Sequence, residues 1–310
     1  MKAHKFLKRY KKLNRKYKHI FLLSITLINL IIPNKNNNVK ICLCAIVKNE
    51  NKYLREFIKH YKKIGYDKIF LYDNNDLKGE KIEEVINDFI RKGFVKVFDF
   101  REKKLNPNQQ LAAYRDCYSR NSKFYNWLSF YDIDEYVEIN KKYKKMKDFL
   151  NDKIFINCQS IKINLVYYYD YNLLYYENKP LQERIKKFSL DNPANKHIKS
   201  TVRGNLSINF WQKAKDPHTS QIKFTSCSSS GKRVRYNSPF VNPPDYVNAK
   251  IKHYYYKSFE EYCLKIKRGR ADMKYNQSNK KIKEIKSKLF LLNKNFPEKM
   301  KIFKKIFNIL

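Results

Sequence analysis

Between residues 39 and 135 short apolar runs alternate with helical stripes, and polar clusters follow three of the four runs. Val39 to Val47 is almost continuously apolar, the pattern of a strand buried on both faces. Lys48-Asn49-Glu50 breaks the run. Leu54, Phe57, Ile58 and Tyr61 then recur at helical spacing, and Gly65 supplies a stop. Lys68 to Tyr72 predicts a second strand, closed by Asp73-Asn74-Asn75-Asp76. Ile82, Val85, Ile86 and Phe89 predict a helix ending at Gly93, and Phe94 to Phe98 a third strand. A helix through Gln110 to Tyr118 leads to a fourth strand, Trp127 to Tyr131, which runs into Asp132-Ile133-Asp134-Glu135. This rhythm predicts a parallel α/β sheet with right-handed crossovers. The polar clusters follow strands one, two and four, on the sheet edge where such folds bind ligands.

The glycines narrow the chemistry. Only six occur, no G-x-G-x-x-G follows the first strand, and no G-x-x-x-x-G-K-[ST] is present. Dinucleotide oxidoreductases and P-loop NTPases are therefore disfavoured. The net charge of +38 comes from 54 Lys and 13 Arg. Base and phosphate readers lean on Arg, so no nucleic-acid partner is expected; anionic membrane lipids or acidic sugars suit the charge better. The six cysteines show neither a C-x-x-C pair nor a dense pattern. They are expected to be small buried thiols in a reducing compartment.

Asp132 and Asp134 stand two apart at a strand end, so both can project the same way. Two hard oxygen ligands at that spacing suit Mg²⁺ or Mn²⁺, ions that also hold substrate phosphates. Acidic turns at strand ends are common, and this pair alone does not establish a site.

Several motifs in order sharpen the reading. They are Cys44-Ala-Ile-Val-Lys-Asn-Glu50, Tyr53-Leu-Arg-Glu-Phe57, Gly65 to Asn75, and Trp127 to Tyr136. A late stretch, His253-Tyr-Tyr-Tyr-Lys-Ser-Phe-Glu-Glu-Tyr262, adds to them. The series resembles the glycosyltransferase group containing family 92 and its bacterial family-2-like relatives, most clearly over residues 40 to 140. The resemblance implies a GT-A type α/β fold: a Rossmann-like mixed sheet flanked by helices, with a β-rich acceptor side and C-terminal helices. It also implies a hexosyltransferase that uses a nucleotide-sugar donor and a divalent cation (Mn²⁺ or Mg²⁺), with inversion at the anomeric carbon. The acceptor would be a glycan or lipid-linked saccharide, in surface polysaccharide or glycan synthesis.

Carried over residue by residue, Lys48, Asn49 and Glu50 would line the nucleotide pocket. Asp73 and Asn75 would sit near base or ribose. Gln110, Tyr114 and Asp116 would face the donor together with Asp132, and Asp132, Asp134 and His253 would be the metal ligands. The general base must be a carboxylate within reach of the acceptor hydroxyl; Glu183 is expected there, with Asp216 as runner-up. Residues 155 to 250 lack the clear Trp-x-x-Phe-Gly element of the group, which leaves acceptor and base open. Bland readings stand beside these: a solvated Lys48/Glu50 loop pair, an ordinary turn at Asp73 to Asn75, a loop histidine at His218, strand packing for Tyr254 to Tyr256. The competing function is a basic peripheral binding protein for acidic glycans or nucleic acid, without catalysis.

The implied organisation is a basic segment at 1–38, a glycosyltransferase domain at 39–270 and a basic helical tail at 271–310. The domain would divide into a nucleotide-sugar half at 39–140 and an acceptor half at 141–270. The first twenty residues carry nine Lys/Arg and no acid, and an apolar run from Ile20 to Ile32 follows. A 13-residue helix rises about 20 Å, short of the roughly 30 Å hydrocarbon core. An interfacial anchor on an anionic membrane surface needs the fewest assumptions, giving a cytoplasmic, peripherally bound protein. A single-span anchor is the alternative, and the tail offers a second basic contact or a helix docked on the domain.

Overall fold

The computed structural model describes residues 39–102, 109–269 and 296–308. All seven residues of β1 (Ile41–Val47) are buried. Parallel partners flank it, β2 (Lys68–Asp73) on one side and β4 (Trp127–Phe130) on the other, and β3 (Val95–Asp99) adds beyond β2. The crossovers carry α1 (Asn51–Lys63), α2 (Glu83–Arg91) and α3 (Gln109–Asn121). The four expected strands and three expected helices are therefore all present.

Alternation along β1 builds two cores. Ile41, Leu43, Ala45 and Val47 face the layer of α1 and α2, where Leu54, Phe57, Ile58 and Ile86 are fully buried. Cys42, Cys44 and Ile46 face α3, among Leu111, Tyr114, Phe130 and Trp211. Each such side chain contributes about 1.5–3 kcal/mol by leaving water. Gly65 ends the α1 segment at φ +98°, a left-handed position that favours glycine.

The second half extends the same sheet with mixed polarity. Its elements are β5 (Glu135–Ile139), α4 (Met146–Leu150), β6 (Ser160–Tyr167), α5 (Leu181–Arg184), β7 (Ile198–Arg203), β8 (Ser226–Cys227), β9 (Arg233–Val234), β10 (Ala249–His253), α6 (Phe259–Arg268) and α7 (Phe296–Phe307). The strand order is β3-β2-β1-β4-β7-β6-β10-β5, with β8 beside β6 and β9 beside β8. This is the expected α/β class, a mixed sheet flanked by helices with a β-rich second half. β6 serves two neighbours on one side, β8 at its start and β10 at its end, both in parallel.

Two expectations need correction or limits. Four cysteines are bonded rather than free: Cys44 to Cys117 joins β1 to α3, and Cys158 to Cys227 joins the approach to β6 with β8. Their Cα atoms lie 6.4 and 5.9 Å apart, within the usual range for a bridge, because adjacent elements pack there. Only Cys42 and Cys263 remain buried thiols. The tail ends as a docked helix: Phe303 packs with Cys263 and Ile266 of α6, so that apolar face is covered. The apolar run Ile20 to Ile32 lies outside the described residues. Among the described residues no helix is long and apolar enough to cross a membrane.

Candidate functional site

Beyond Phe130 the chain continues Tyr131-Asp132-Ile133-Asp134 and enters β5 at Glu135. Tyr131 and Ile133 are fully buried, which turns the alternating acids toward the other side. The backbone N–H of Glu135 donates to Asp132 O (3.0 Å), and that of Asp132 to Glu135 Oε2 (2.9 Å), so the turn is tight. Antiparallel pairing of β10 with β5 sets His253 opposite Glu135. The N–H of Tyr254 donates to Asp134 O at 2.9 Å and fixes the register.

These groups open on a cavity of about 310 Å³ at the carboxyl ends of β1, β2 and β4. Lys48 and Glu50 line it from the loop after β1, Asn74 from the loop after β2, and Gln110 from the start of α3. Lys199 of β7, His218, Tyr255, and Lys265 and Arg268 of α6 complete the walls.

Each acid meets a cation of the chain. Lys199 Nζ lies 2.7 Å from Asp132 Oδ2 and 3.3 Å from Glu135 Oε2. Burial works against the Lys199 charge, but Asp132 and Glu135 outweigh it and hold the ammonium protonated well above its ordinary range. Gln110 Nε2 donates to Asp132 Oδ1 (2.8 Å), as does the Tyr114 hydroxyl (3.3 Å). Lys265 Nζ is 2.6 Å and Lys257 Nζ 3.4 Å from Asp134 Oδ2. Burial disfavours the Asp134 charge, yet Lys265 and Lys257 prevail and hold its carboxyl well below the usual range. Glu135 goes the other way: burial pushes its carboxyl up to about 8 against the pull of Lys199.

Of the residues expected at the site, Lys48, Glu50, Gln110, Asp132, Asp134 and His253 come together at the cavity. Asn49, Asp73, Asn75 and Tyr114 brace it from behind. Asp73 Oδ1 accepts from Asn75 N–H (2.9 Å) and Asn75 Oδ1 from Asn49 N–H (2.7 Å), which locks the loop after β1. Asp116 does not line the cavity. Six residues past Gln110 is about 240° around a helix, and its carboxylate takes the Tyr72 hydroxyl (2.8 Å) and Arg120 (2.7 Å) instead. Glu183 is exposed on α5 and does not line the cavity. Asp216 is also outside the lining, but its Oδ1 accepts from His218 N–H at 2.6 Å and so shapes the loop that brings His218 to the wall.

Lys199, Lys265 and Arg268 escaped the sequence reading, and Lys257, part of the late motif from His253 to Tyr262, was given no role there. Among 54 lysines nothing in composition marks Lys199 or Lys265. The available signals were Lys199 inside the buried run Ile198 to Val202 and the i,i+3 spacing of Lys265 and Arg268 on a helix.

Among the described residues no group of three or more His, Cys, Asp and Glu side chains is arranged to hold a metal ion. Asp134 Oδ1 and His253 Nε2 stand 3.5 Å apart, a spacing that one cation at about 2.0–2.6 Å from each ligand can bridge. Asp132 is turned to Lys199 and Gln110. Mg²⁺-like ions take one or two carboxylates and complete their shell with phosphate and water. The Asp134–His253 pair, with the buried and unpartnered Glu135 Oε1 3.9 Å from His253 Nε2, suits an ion delivered with a substrate, and not a closed protein cage.

Comparison with known proteins points to the family that the motifs resemble. A rice (Oryza sativa subsp. japonica) glycosyltransferase family 92 protein is 34% identical over 100 residues, covering 31% of this chain and 16% of that protein. An Arabidopsis thaliana member is 29% identical over 108 residues, covering 33% and 17%. The matched stretch thus spans about a sixth of the relatives' length. Among solved structures, Staphylococcus aureus TarS gives a TM-score of 0.39 at 12% identity, covering 88% of this chain and 49% of that one. The mannosyltransferase PcManGT from Pyrobaculum calidifontis, in complex with GDP-Man and Mn²⁺, gives 0.32 at 9%, covering 51% and 41%. The model of glycosyltransferase family 92 matches residues 37–299, from the approach to β1 into α7, and with the site residues inside that span the chain belongs to this family.

Proposed function

We propose that the protein transfers a sugar from a nucleotide-sugar donor to a glycan or lipid-linked saccharide, with inversion at the anomeric carbon. The observation that carries this reading is the cavity at the carboxyl ends of the parallel strands, where Asp134 and His253 meet from distant parts of the chain. The loops after β1 and β2 bind the nucleotide, with Lys48, Glu50 and Asn74 on the wall. Gln110, Tyr114 and Lys199 hold Asp132 in place. Asp134 and His253 would hold a divalent cation, which when bound supplies positive charge to the leaving diphosphate.

In the transfer the acceptor oxygen bonds to the anomeric carbon. The bond from that carbon to the β-phosphate oxygen breaks, and its electron pair stays on the phosphate. The acceptor proton passes to a carboxylate base. Of the two carboxylates expected in that role, Asp216 beside the pocket-lining His218 is retained and exposed Glu183 is set aside. Membrane association is assigned to residues 1–33. The two bridges favour the single-span alternative, with the domain on an oxidising side.

The test is a turnover screen of UDP-, GDP- and CMP-sugars with Mn²⁺, Mg²⁺ or EDTA. One donor class should be hydrolysed or transferred, and Asp134→Asn should abolish the signal. Absence of both binding and turnover for every donor would sink the reading.

A further inference from the structure

One stretch of twelve residues, 257–268, supplies two cations to the cavity wall, Lys265 and Arg268, and a third, Lys257, that is buried against Asp134 outside the lining. Lys257 has φ +55°, a left-handed backbone that non-glycine residues rarely adopt and that structures retain where the surroundings impose it. It immediately precedes Ser258, whose hydroxyl accepts from Glu261 N–H (3.2 Å) while Glu261 Oε2 accepts from Ser258 N–H (2.9 Å). This reciprocal cap fixes where α6 starts. Lys257, 4% exposed, is thereby turned inward onto Asp134. Two turns later Lys265 reaches the same carboxylate, and three residues further Arg268 donates to the carbonyls of Lys48 and Asn49 and to Glu50 Oε1 (3.0 Å). Asn49, whose carbonyl Arg268 contacts, is also left-handed at φ +50°.

The charges do not balance on this wall. Lys257, Lys265 and Arg268 face two carboxylates, Asp134 and Glu50. Each ammonium carries three N–H donors, yet both converge on one oxygen, Asp134 Oδ2. The two ammoniums also sit over ring faces, Lys257 4.4 Å from Tyr53 and Lys265 4.0 Å from Tyr255. A wall with surplus charge and surplus donors is built for an anion that has several oxygens. Its position beside the loop after β1 places that anion next to the proposed nucleotide.

We infer that Lys265 and Arg268 form the seat of the donor's diphosphate and hold it as it leaves, while Lys257, outside the cavity lining, pairs with Asp134 behind them. The inference rests on the glycosyltransferase reading. It assigns to α6, a late element, the recognition that phosphate-binding folds without this arrangement place on a glycine-rich loop.

The test is equilibrium binding of UDP, GDP, UMP and GMP to the full chain, in EDTA and in Mn²⁺. Lys257→Met, Lys265→Met, Arg268→Gln and Lys265→Arg are compared with wild type, with melting curves for each. The ratio of diphosphate to monophosphate affinity should fall about 10- to 100-fold in Lys265→Met and Arg268→Gln, the size of a lost charge-assisted hydrogen bond, and by less in Lys257→Met, whose ammonium lies outside the lining. Lys265→Arg, which keeps the charge, should stay within a few-fold of wild type. An unchanged ratio in a folded Lys265→Met variant, while wild type binds UDP or GDP, overturns the seat and leaves the function standing. Equal losses in Lys265→Arg and Lys265→Met also overturn it, since charge would then not be the cause. Failure of wild type to bind either diphosphate removes the seat, and the function then stands or falls with the donor screen.

Discussion

Arg184 and Glu261 form a two-point ion pair, 2.6 and 2.7 Å long, with each side chain only 2% exposed. The Tyr53 hydroxyl donates to the same carboxylate at 2.5 Å. The pair thus pins α5 and α1 to the first turn of α6, the helix that carries Lys265 and Arg268. Removing one partner strands a buried charge, which costs about 3–5 kcal/mol. Arg184→Met is therefore expected to lower unfolding stability by that order in urea titration. A loss under about 1 kcal/mol would show that the pair does not hold the helix.

The same carboxylate predicts an acid limb. Burial raises the Glu261 carboxyl, but Arg184 and its hydrogen bonds bring it down to about 2. An unfolded Glu titrates near ~4.3. Since the folded value is depressed, the stabilisation is complete above about pH 5 and is lost as pH falls toward 2. The total is at most about 3 kcal/mol. Stability measured from pH 5 to pH 2 should fall less steeply in Glu261→Gln than in wild type; identical slopes would remove Glu261 as the cause.

The bridges give a direct chemical readout. Denatured, unreduced protein should show two reactive thiols, Cys42 and Cys263, and six after reduction. Each bridge closes a loop of about 70 residues, so reduction should lower stability by about 4 kcal/mol per bridge in the chain-entropy view. Six thiols without reductant would return all the cysteines to the buried-thiol expectation and withdraw the case for an oxidising compartment.

The first half of the fold was legible because its physics is local. The apolar run at β1, the helical stripe Leu54 to Tyr61 and the glycine at 65 each follow from backbone periodicity. The acids at 132 and 134 were legible as the polar end of an apolar strand. The second half hides its strands under polar residues that are buried because partners satisfy them. Lys162 of β6 donates to three carbonyls, those of Arg235, Tyr236 and Ser238, and Asn164 to those of Asn195, Lys196 and Val241. β6 alternates Ser160, Lys162 and Asn164 with Ile161, Ile163 and Leu165 as a half-exposed strand would, yet its polar face is buried as well, and β8 and β9 are two residues each. The bridges were illegible for a related reason: 73 and 69 residues separate the partners, so only the tertiary fold brings them together.

Catalytic roles separate by mutation. Asp134→Asn keeps the volume but removes the charge on which Lys257, Lys265 and His253 converge. A fall in kcat of about 100-fold or more is expected, the scale for losing transition-state electrostatics. Asp216→Asn should lower kcat with little change in donor KM, whereas Glu183→Gln, exposed on α5, should leave both within about twofold. A Glu183→Gln variant as slow as Asp134→Asn would return the base to Glu183.

The two basic ends should behave differently at a membrane. The last helix buries Phe303 against Cys263 and Ile266, with Met300, Ile306 and Phe307 packed around it, so its apolar side is already used by α6. Deleting residues 296–310 uncovers that face of α6. It should lower the melting temperature and leave binding to anionic vesicles within about twofold. Deleting residues 1–33 removes nine of the basic groups together with the apolar run. Each Lys or Arg near an anionic surface contributes about 1 kcal/mol, and salt screens it. Co-sedimentation of the detergent-free protein with anionic vesicles should therefore drop sharply in the N-terminal deletion. Salt should partly release the full chain if charge holds it, and should fail to release it if the apolar run has inserted. Retention of the N-terminal deletion on vesicles, at wild-type levels and in low salt, would place the membrane contact on the catalytic domain itself.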